Sequence, residues 1–198
     1  MARTEEANQR IRSIQRGRIL DAARTVFARK GLSATMDDVA EEAGVSHGLA
    51  YRYFANKTAL VSELVIEDLQ APAGWLVQFA NEGSAPSDKI RQMITGLLES
   101  RHDHPEQYQL LAQVLYDESA PADLRDEVAK RRRKIQVILR HLITAGQVAG
   151  RVAPGDPDQL VRAVLATLDG LTAWHSSDPA THRATFPDAE IILRMLMP

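Results

Sequence analysis

The sequence contains no cysteine, which excludes disulfide frameworks and thiolate metal sites and fits a reducing compartment. It has no apolar run approaching the ~18 residues that a membrane span requires. The opening "MARTEEANQRIRSIQRGR" lacks the apolar stretch of a secretory signal. A cytoplasmic location without a membrane partner is the expectation. Period-two alternation bounded by turns is missing as well, so β-structure is not expected. Glycine-rich phosphate loops and helical carboxylate pairs are also missing. "HSSD" (175–178) contains triad residue types, but neighbours in one loop rarely converge into a triad. "HDH" (102–104) lacks a third or fourth ligand nearby and reads as a solvated interhelical loop. The chain is expected to be no enzyme, with no catalytic residues, no metal and no cofactor.

Aromatic residues are scarce too: two Trp, four Tyr and four Phe among 198 residues. Three of them crowd into "GVSHGLAYRYF" (44–54), as Tyr51, Tyr53 and Phe54. A helix buries one stripe, and positions i, i+2 and i+3 cannot all lie on it. Some of these rings must face outward. Charge is also unevenly placed. The net formal charge is −2, yet residues 1–58 hold ten Lys/Arg against seven Asp/Glu. A mildly basic N-terminal third on an acidic remainder suggests nucleic-acid contact at one end.

Helical periodicity is abundant, and the fold class read from it is all-α with about nine helices. Residues 18–30 place Ile19, Ala23, Val26 and Phe27 on one face, and Gly31 ends the pattern. Thr35 and Asp38 form a capping-box pair ahead of a short helix that Gly44 closes. Ser46 caps the next helix and Asn56 the one after, which Pro72 and Gly74 interrupt or kink. "NEGSAPS" (81–87) reads as a loop whose Ser87 caps a further helix. Pro105 and Pro121 suit first helical positions, and Asp156–Pro157 opens another helix. A loop at 175–183 precedes a last helix over 184–197. Domains are expected at 1–58, a basic arm with a helix-turn-helix, and at 59–198.

Two short helices joined by "AGVS" have the form of a helix-turn-helix. Val39, Ala40 and Ala43 make the inner face of the first, Gly44 the left-handed turn, and Val45 plugs the corner. Ala50 and Phe54 share the buried stripe of the second helix. His47, Gly48, Tyr51 and Arg52 are left outward, with Leu49 and Tyr53 at the flanks. An αα-corner that merely packs has the same geometry. An outward glycine in a two-turn helix costs stability, however, and a structural segment gains little from it. Arg52 and His47 can donate to base edges or phosphates, and Lys57 and the tyrosine hydroxyls to phosphate oxygens. Arg12 to Arg18 add positive charge nearby, while residues 1–9 read as a solvated tail.

"RILDAARTVFARKGLSATMDDVAEEAGVSHGLAYRYFANKTAL" (18–60) resembles the N-terminal domain of the TetR family of transcriptional regulators. The resemblance implies a three-helix DNA-binding domain followed by a helical ligand-binding and dimerisation domain. It implies a ligand-responsive repressor that binds a palindromic operator on double-stranded DNA as a homodimer and is released by a small-molecule effector. Successive major grooves would then be read about 34–36 Å apart. Carried onto this sequence, His47, Gly48 and Tyr51 occupy base-reading positions. Tyr53 and Lys57 occupy phosphate-contacting ones, with Thr35 also near the backbone. Leu49 departs from the hydroxyl residue common there and offers an apolar contact instead. Ala50 departs from a larger aliphatic. The alternative function is a helical small-molecule-binding protein whose N-terminal motif mediates only packing or protein contact.

In the family the last two long helices build the dimer interface, here about 156–174 and 184–197. The first is apolar on more than one face through Leu160, Val161, Val164, Leu165, Leu168 and Leu171. Effector-pocket candidates are Met93, Leu97, Tyr108, Gln109, Leu115, Tyr116 and Trp174, although ordinary core is the default reading of each. The run "KRRRK" (130–134) crosses the apolar stripe of its helix at Arg131 or Arg132. Either can pair with an anionic effector, or else snorkel or form an internal ion pair. The effector itself has no signature in the sequence.

Overall fold

The computed structural model describes residues 2–70, 85–177 and 184–197. The expected break at Pro72–Gly74, the start of the "NEGSAPS" loop and Asp178 of "HSSD" lie outside the described residues. Among those described there are nine α-helices and no strand: α1 (Ala2–Lys30), α2 (Met36–Glu42), α3 (His47–Tyr53), α4 (Lys57–Gln70), α5 (Pro86–Asp103), α6 (Pro105–Tyr116), α7 (Ala122–Val148), α8 (Pro157–Ser177) and α9 (Ala189–Leu193). A 3₁₀ turn, Gly31–Ser33, follows α1.

Local chemistry sets most of these boundaries. The Thr35 hydroxyl accepts from the Asp38 amide at 3.2 Å while the Asp38 carboxylate accepts from the Thr35 amide at 2.8 Å, closing the capping box of α2. Gly44, at φ 62°, makes the left-handed turn into α3, where a Cβ would be strained. The Ser46 hydroxyl accepts from the Leu49 amide at 3.2 Å, and Asn56 Oδ1 from the Ala59 amide at 2.8 Å.

Other boundaries differ from the expectation. Helix α1 starts at Ala2, not near residue 18. Its first turns are rich in Ala, Glu, Gln and Arg, which favour helix without supplying an apolar stripe for periodicity to reveal. Helix α5 starts at Pro86 with Ala85 as N-cap, so Ser87 lies within the first turn and is not the cap. Pro121 precedes α7 as its N-cap. Helix α8 runs through His175 to Ser177, residues expected in a loop. The last helix is only five residues long. Pro187 has no amide to donate, Asp188 caps the Glu190 amide at 2.8 Å, and Met195 and Leu196 bond three residues back in a tightened turn.

Two apolar clusters organise the chain. One gathers α1–α4, α6 and the start of α7 around Phe27, Val39, Phe54, Leu64 and Leu110. The other gathers α5, the second half of α7, α8 and α9 around Ile94, Leu139, Ile143, Leu168 and Ile192. Helix α7, ~40 Å long at 1.5 Å per residue, threads both. Leu124 and Val128 belong to the first cluster and Leu139, Leu142 and Ile143 to the second. Gly146 near its end has no room for a side chain, since a Cβ would stand 2.4 Å from Val152 Cγ2.

One carboxylate is fully buried within this packing. Asp68 Oδ1 on α4 accepts from Arg24 on α1 at 3.0 Å and from Gln107 on α6 at 2.9 Å, while Oδ2 has no partner. Removing one member of such a cluster strands the others away from water. Asp68→Ala should lower the unfolding free energy by about 3 kcal/mol in urea melts, and Asp68→Asn by less, because the amide keeps a neutral acceptor. Burial raises the Asp68 carboxyl above its ordinary 3.8, against the opposing pull of Gln107 and Arg24. The folded chain thus holds the proton at a higher pH than the unfolded chain does. The advantage of wild type over Asp68→Asn should be largest below that ordinary value and shrink as pH rises.

Candidate nucleic-acid interface and effector cavity

Helix α3 has one face inside and one face outside. Ala50 is fully buried and Phe54, its C-cap, nearly so, with half-buried Val45 packed beside them. His47, Gly48, Tyr51 and Arg52 are exposed, and Leu49 and Tyr53 sit half-buried at the margins. This is the division expected from spacing. The His47 and Tyr51 rings lie 4.5 Å apart, and His47 Nε2 is 3.0 Å from the Asp37 carboxylate, which links α3 to the start of α2. Nothing stands within 4 Å of where a Gly48 Cβ would be.

Several side chains expected near DNA also hold the fold. Lys57 Nζ donates to the Leu32 carbonyl at 2.8 Å, tying the start of α4 to the 3₁₀ turn. Thr35, exposed, spends its hydroxyl on Asp38. Lys30 bonds the same carboxylate at 2.6 Å and, with Thr35, holds it far below the usual carboxylate range. Arg18 donates to the Ala43 carbonyl at 3.0 Å and so terminates α2. Arg16 pairs with Glu63 on α4 and stacks 5.4 Å over the Phe54 ring. These arginines act as braces within the small domain, a role that their proximity in sequence to the motif does not reveal.

A cavity of about 600 Å³ opens where α7 passes from one apolar cluster to the other. Of the expected pocket residues, Leu97, Tyr108, Gln109, Leu115, Tyr116, Arg131 and Arg132 border it. Met93 and Trp174 do not. Met93 is buried in the second cluster, and Trp174 is among the exposed large side chains. The run at 130–134 splits by direction. Lys130 pairs on the surface with Glu127 at 2.5 Å, and Arg133 and Lys134 are exposed. Arg131 donates to the Leu69 carbonyl on α4. Arg132 grips Asp169 on α8 through two bonds of 3.1 and 2.6 Å, the internal ion pair weighed above.

Two charged cavity residues escaped the sequence reading, Arg101 on α5 and Asp169 on α8. Both stand four residues beyond an apolar stripe position, Leu97 and Leu165, and a charge on a stripe was the signal that could have found them. Arg101 Nη1 donates to the Leu97 carbonyl at 3.1 Å, and its guanidinium lies 4.2 Å over the Tyr108 ring. Its Nε is closed off from solvent and has no partner.

Residues 19–64 match the family model described as bacterial regulatory proteins, tetR family, and residues 83–184 the one described as tetracyclin repressor-like, C-terminal domain. The chain belongs to the TetR family. Curated relatives include the HTH-type transcriptional regulator BetI of Agrobacterium fabrum, 28% identical over 82% of this chain and 77% of its own. The HTH-type transcriptional repressor KstR2 of Mycolicibacterium smegmatis is 28% identical over 81% and 79%. The solved ketosteroid transcriptional regulator KstR2 of Mycobacterium tuberculosis shares the fold with a TM-score of 0.76 at 22% identity, covering 92% of this chain and 95% of that one. The MbdR regulator of Azoarcus sp. CIB superposes at 0.75 with 23% identity, over 93% and 100%. This TetR-family chain is a DNA-binding transcriptional regulator. The alternative, a motif used only for packing, has no support from these relatives.

Gly48 separates fold from function in a single residue. Gly48→Ala should stabilise the free protein by up to about 1 kcal/mol in thermal melts, since its methyl meets only open space. The same methyl should weaken DNA binding in a gel shift by holding α3 off the groove.

Proposed function

We propose that the protein is a homodimeric, effector-released repressor that reads a palindromic operator through α3. The observation that carries this is the two-sidedness of α3. Its buried face fixes the helix on α1 and α2, while His47, Gly48, Tyr51 and Arg52 form an open face with one position kept bare. His47, Gly48 and Tyr51 are assigned to base edges, with Leu49 offering a methyl contact to thymine. Arg52, Tyr53, Lys57 and Thr35 are assigned to the backbone flanking them. Lys57 uses one of three ammonium donors on Leu32, leaving two for phosphate. The chain divides near residue 58 into a DNA-binding part and an effector and dimerisation part, with α4 shared. Leu60 and Leu64 of α4 lie in the same core as α1.

The dimer face falls on α8, though not through the leucines that suggested it. Val161, Val164, Leu165, Leu168 and Leu171 are all buried against the protomer's own core. The exposed side carries Ala163, Ala166, Gly170 and Ala173, small residues at helical spacing with Trp174 beside them. Two such faces can approach closely with little side-chain entropy to lose. TetR-family regulators act as dimers with small-molecule effectors, and this stripe is assigned to that contact.

Release is a population shift: effector in the cavity favours a dimer whose recognition helices no longer match the groove spacing. One neighbouring fold, a putative regulator from Saccharomonospora viridis, is a complex with choline. That protein's ligand is a cation, and three arginines around the present cavity disfavour a cation here.

Gel shifts on DNA upstream of the gene test the reading. Binding should saturate on a palindrome and fall steeply with salt; a folded dimer with no preference over random duplex would falsify it. Tyr51→Ala should lose about tenfold in affinity, mostly for the cognate sequence. Lys57→Ala should weaken all duplexes alike and cut the salt slope by about one, with some loss of stability as Leu32 loses its donor. Ala166→Arg should yield monomers in light scattering and lose cooperative operator binding, because a long charge replaces a methyl on the stripe.

A further inference from the structure

The cavity's charges do not balance. Among the described residues it is bordered by three arginines, Arg101, Arg131 and Arg132, and by one carboxylate, Asp169. Arg132 holds that carboxylate through both of its oxygens. The other two guanidiniums have no carboxylate within ion-pair distance among the described residues. Arg131 spends one donor on a backbone carbonyl of α4. Arg101 spends one on a carbonyl of its own helix, lies on an aromatic face and leaves Nε closed in without a partner. A guanidinium has five donors and does not give up its proton to escape burial. Burial works against the charge of both Arg101 and Arg131; at Arg101 the more distant Asp169 offsets part of this and the like charges of Arg132 and Arg131 add to it, and at Arg131 Asp68 offsets part. The rest of the wall includes Leu97, Leu115, Val128, Ile135 and Leu165.

We propose that the effector is an amphipathic organic anion whose carboxylate or phosphate head is received between Arg101 and Arg131, its apolar body lying along the leucine-rich wall, while Arg132 stays paired with Asp169. This rests on the reading of the cavity as the effector site. Each part of the wall selects a part of the ligand. A neutral ligand leaves the two guanidiniums uncompensated, and a cation adds a fourth positive charge. A fully polar anion leaves the apolar wall unfilled. Arg101 is the primary anchor, because its one hydrogen bond stays within its own helix and its link to α6 is a ring contact that leaves its donors open. Arg131 keeps four donors besides the one given to the Leu69 carbonyl, so it can receive the head while still fastened to α4.

Calorimetry on the full-length protein, with four probes sharing one decyl chain and kept below micelle-forming concentrations, tests the assignment. Decanoate and decyl phosphate should bind at least about tenfold more tightly than decanol, and decylamine more weakly still. The ranking of the two anions identifies which head the site takes. Arg101→Gln should erase the preference for anion over alcohol, and Arg101→Lys should keep part of it because the charge remains. Circular-dichroism melts verify that both variants are folded. Decanol binding as tightly as both anions, or a folded Arg101→Gln that keeps the anion preference, would overturn the inference. A gel shift without any probe tests the regulatory reading separately. Operator binding without anion preference sinks only this inference. Anion preference without operator binding sinks only the proposed function.

Discussion

Two consecutive residues at the end of α4 join the parts of this molecule. Asp68 sends a buried carboxylate toward Arg24 of α1 and Gln107 of α6, and the carbonyl of Leu69 takes Arg131 of α7. The Leu69 carbonyl, next to the last described residue of α4, takes a donor from another helix. Here the donor comes from the cavity wall. The carboxylate beside it must likewise find donors, because its side chain is wholly buried. The helix that follows the DNA-reading motif is thus fastened by polar groups that cannot be left unmade. Its fastening reaches both the long helix that carries the motif and the helices that enclose the cavity.

In the proposed release, such a junction would transmit because its alternatives are few. An apolar contact can slide by fractions of an ångström at small cost, whereas a buried polar group is either partnered or expensive. The unpartnered Oδ2 of Asp68 and Nε of Arg24 show that the cluster is not fully satisfied even as it stands. A structure that held its two halves by leucines alone would be more stable and less responsive. Arg101 and Arg131 at the cavity have the same character: burial works against the charge of each, and a ligand of opposite charge would relieve the cost.

The parts legible in the sequence are those governed by neighbours in the chain. The capping box of Thr35 and Asp38, the left-handed Gly44, the Ser46 and Asn56 caps and the two faces of α3 all arise within four residues, and each was found where spacing put it. The missed features arise at long range or from an absent signal. The first sixteen residues of α1 are helical without an apolar stripe, with Ile11 and Ile14 exposed. Arg18 and Lys57 looked like DNA contacts because they are basic and near the motif, yet each also satisfies a carbonyl 25 residues away. Arg132 and Asp169 are 37 residues apart. Periodicity put Arg131 or Arg132 on a stripe, passed over Asp169, and could not pair them.

The same distinction explains why α8 misled in detail. Its leucines and valines were numerous enough to suggest two buried faces, but a 21-residue helix crossing a thick core absorbs them all on one broad face. What remained outside was defined by smallness, not by hydrophobicity. Alanine and glycine carry little weight in an apolar count, yet they decide how closely two backbones can approach. Close approach matters because Asp169 and Gly170 border the cavity on that same helix. A partner seated on the stripe would touch Gly170 and Ala173, which themselves border the cavity that Arg132 lines. A shift of α8 by the ligand would therefore reach the symmetry axis directly, in addition to the route through α4. Groove spacing in a two-fold complex is set by the angle between protomers, and with the proposed contact on α8 that angle would be set on this helix.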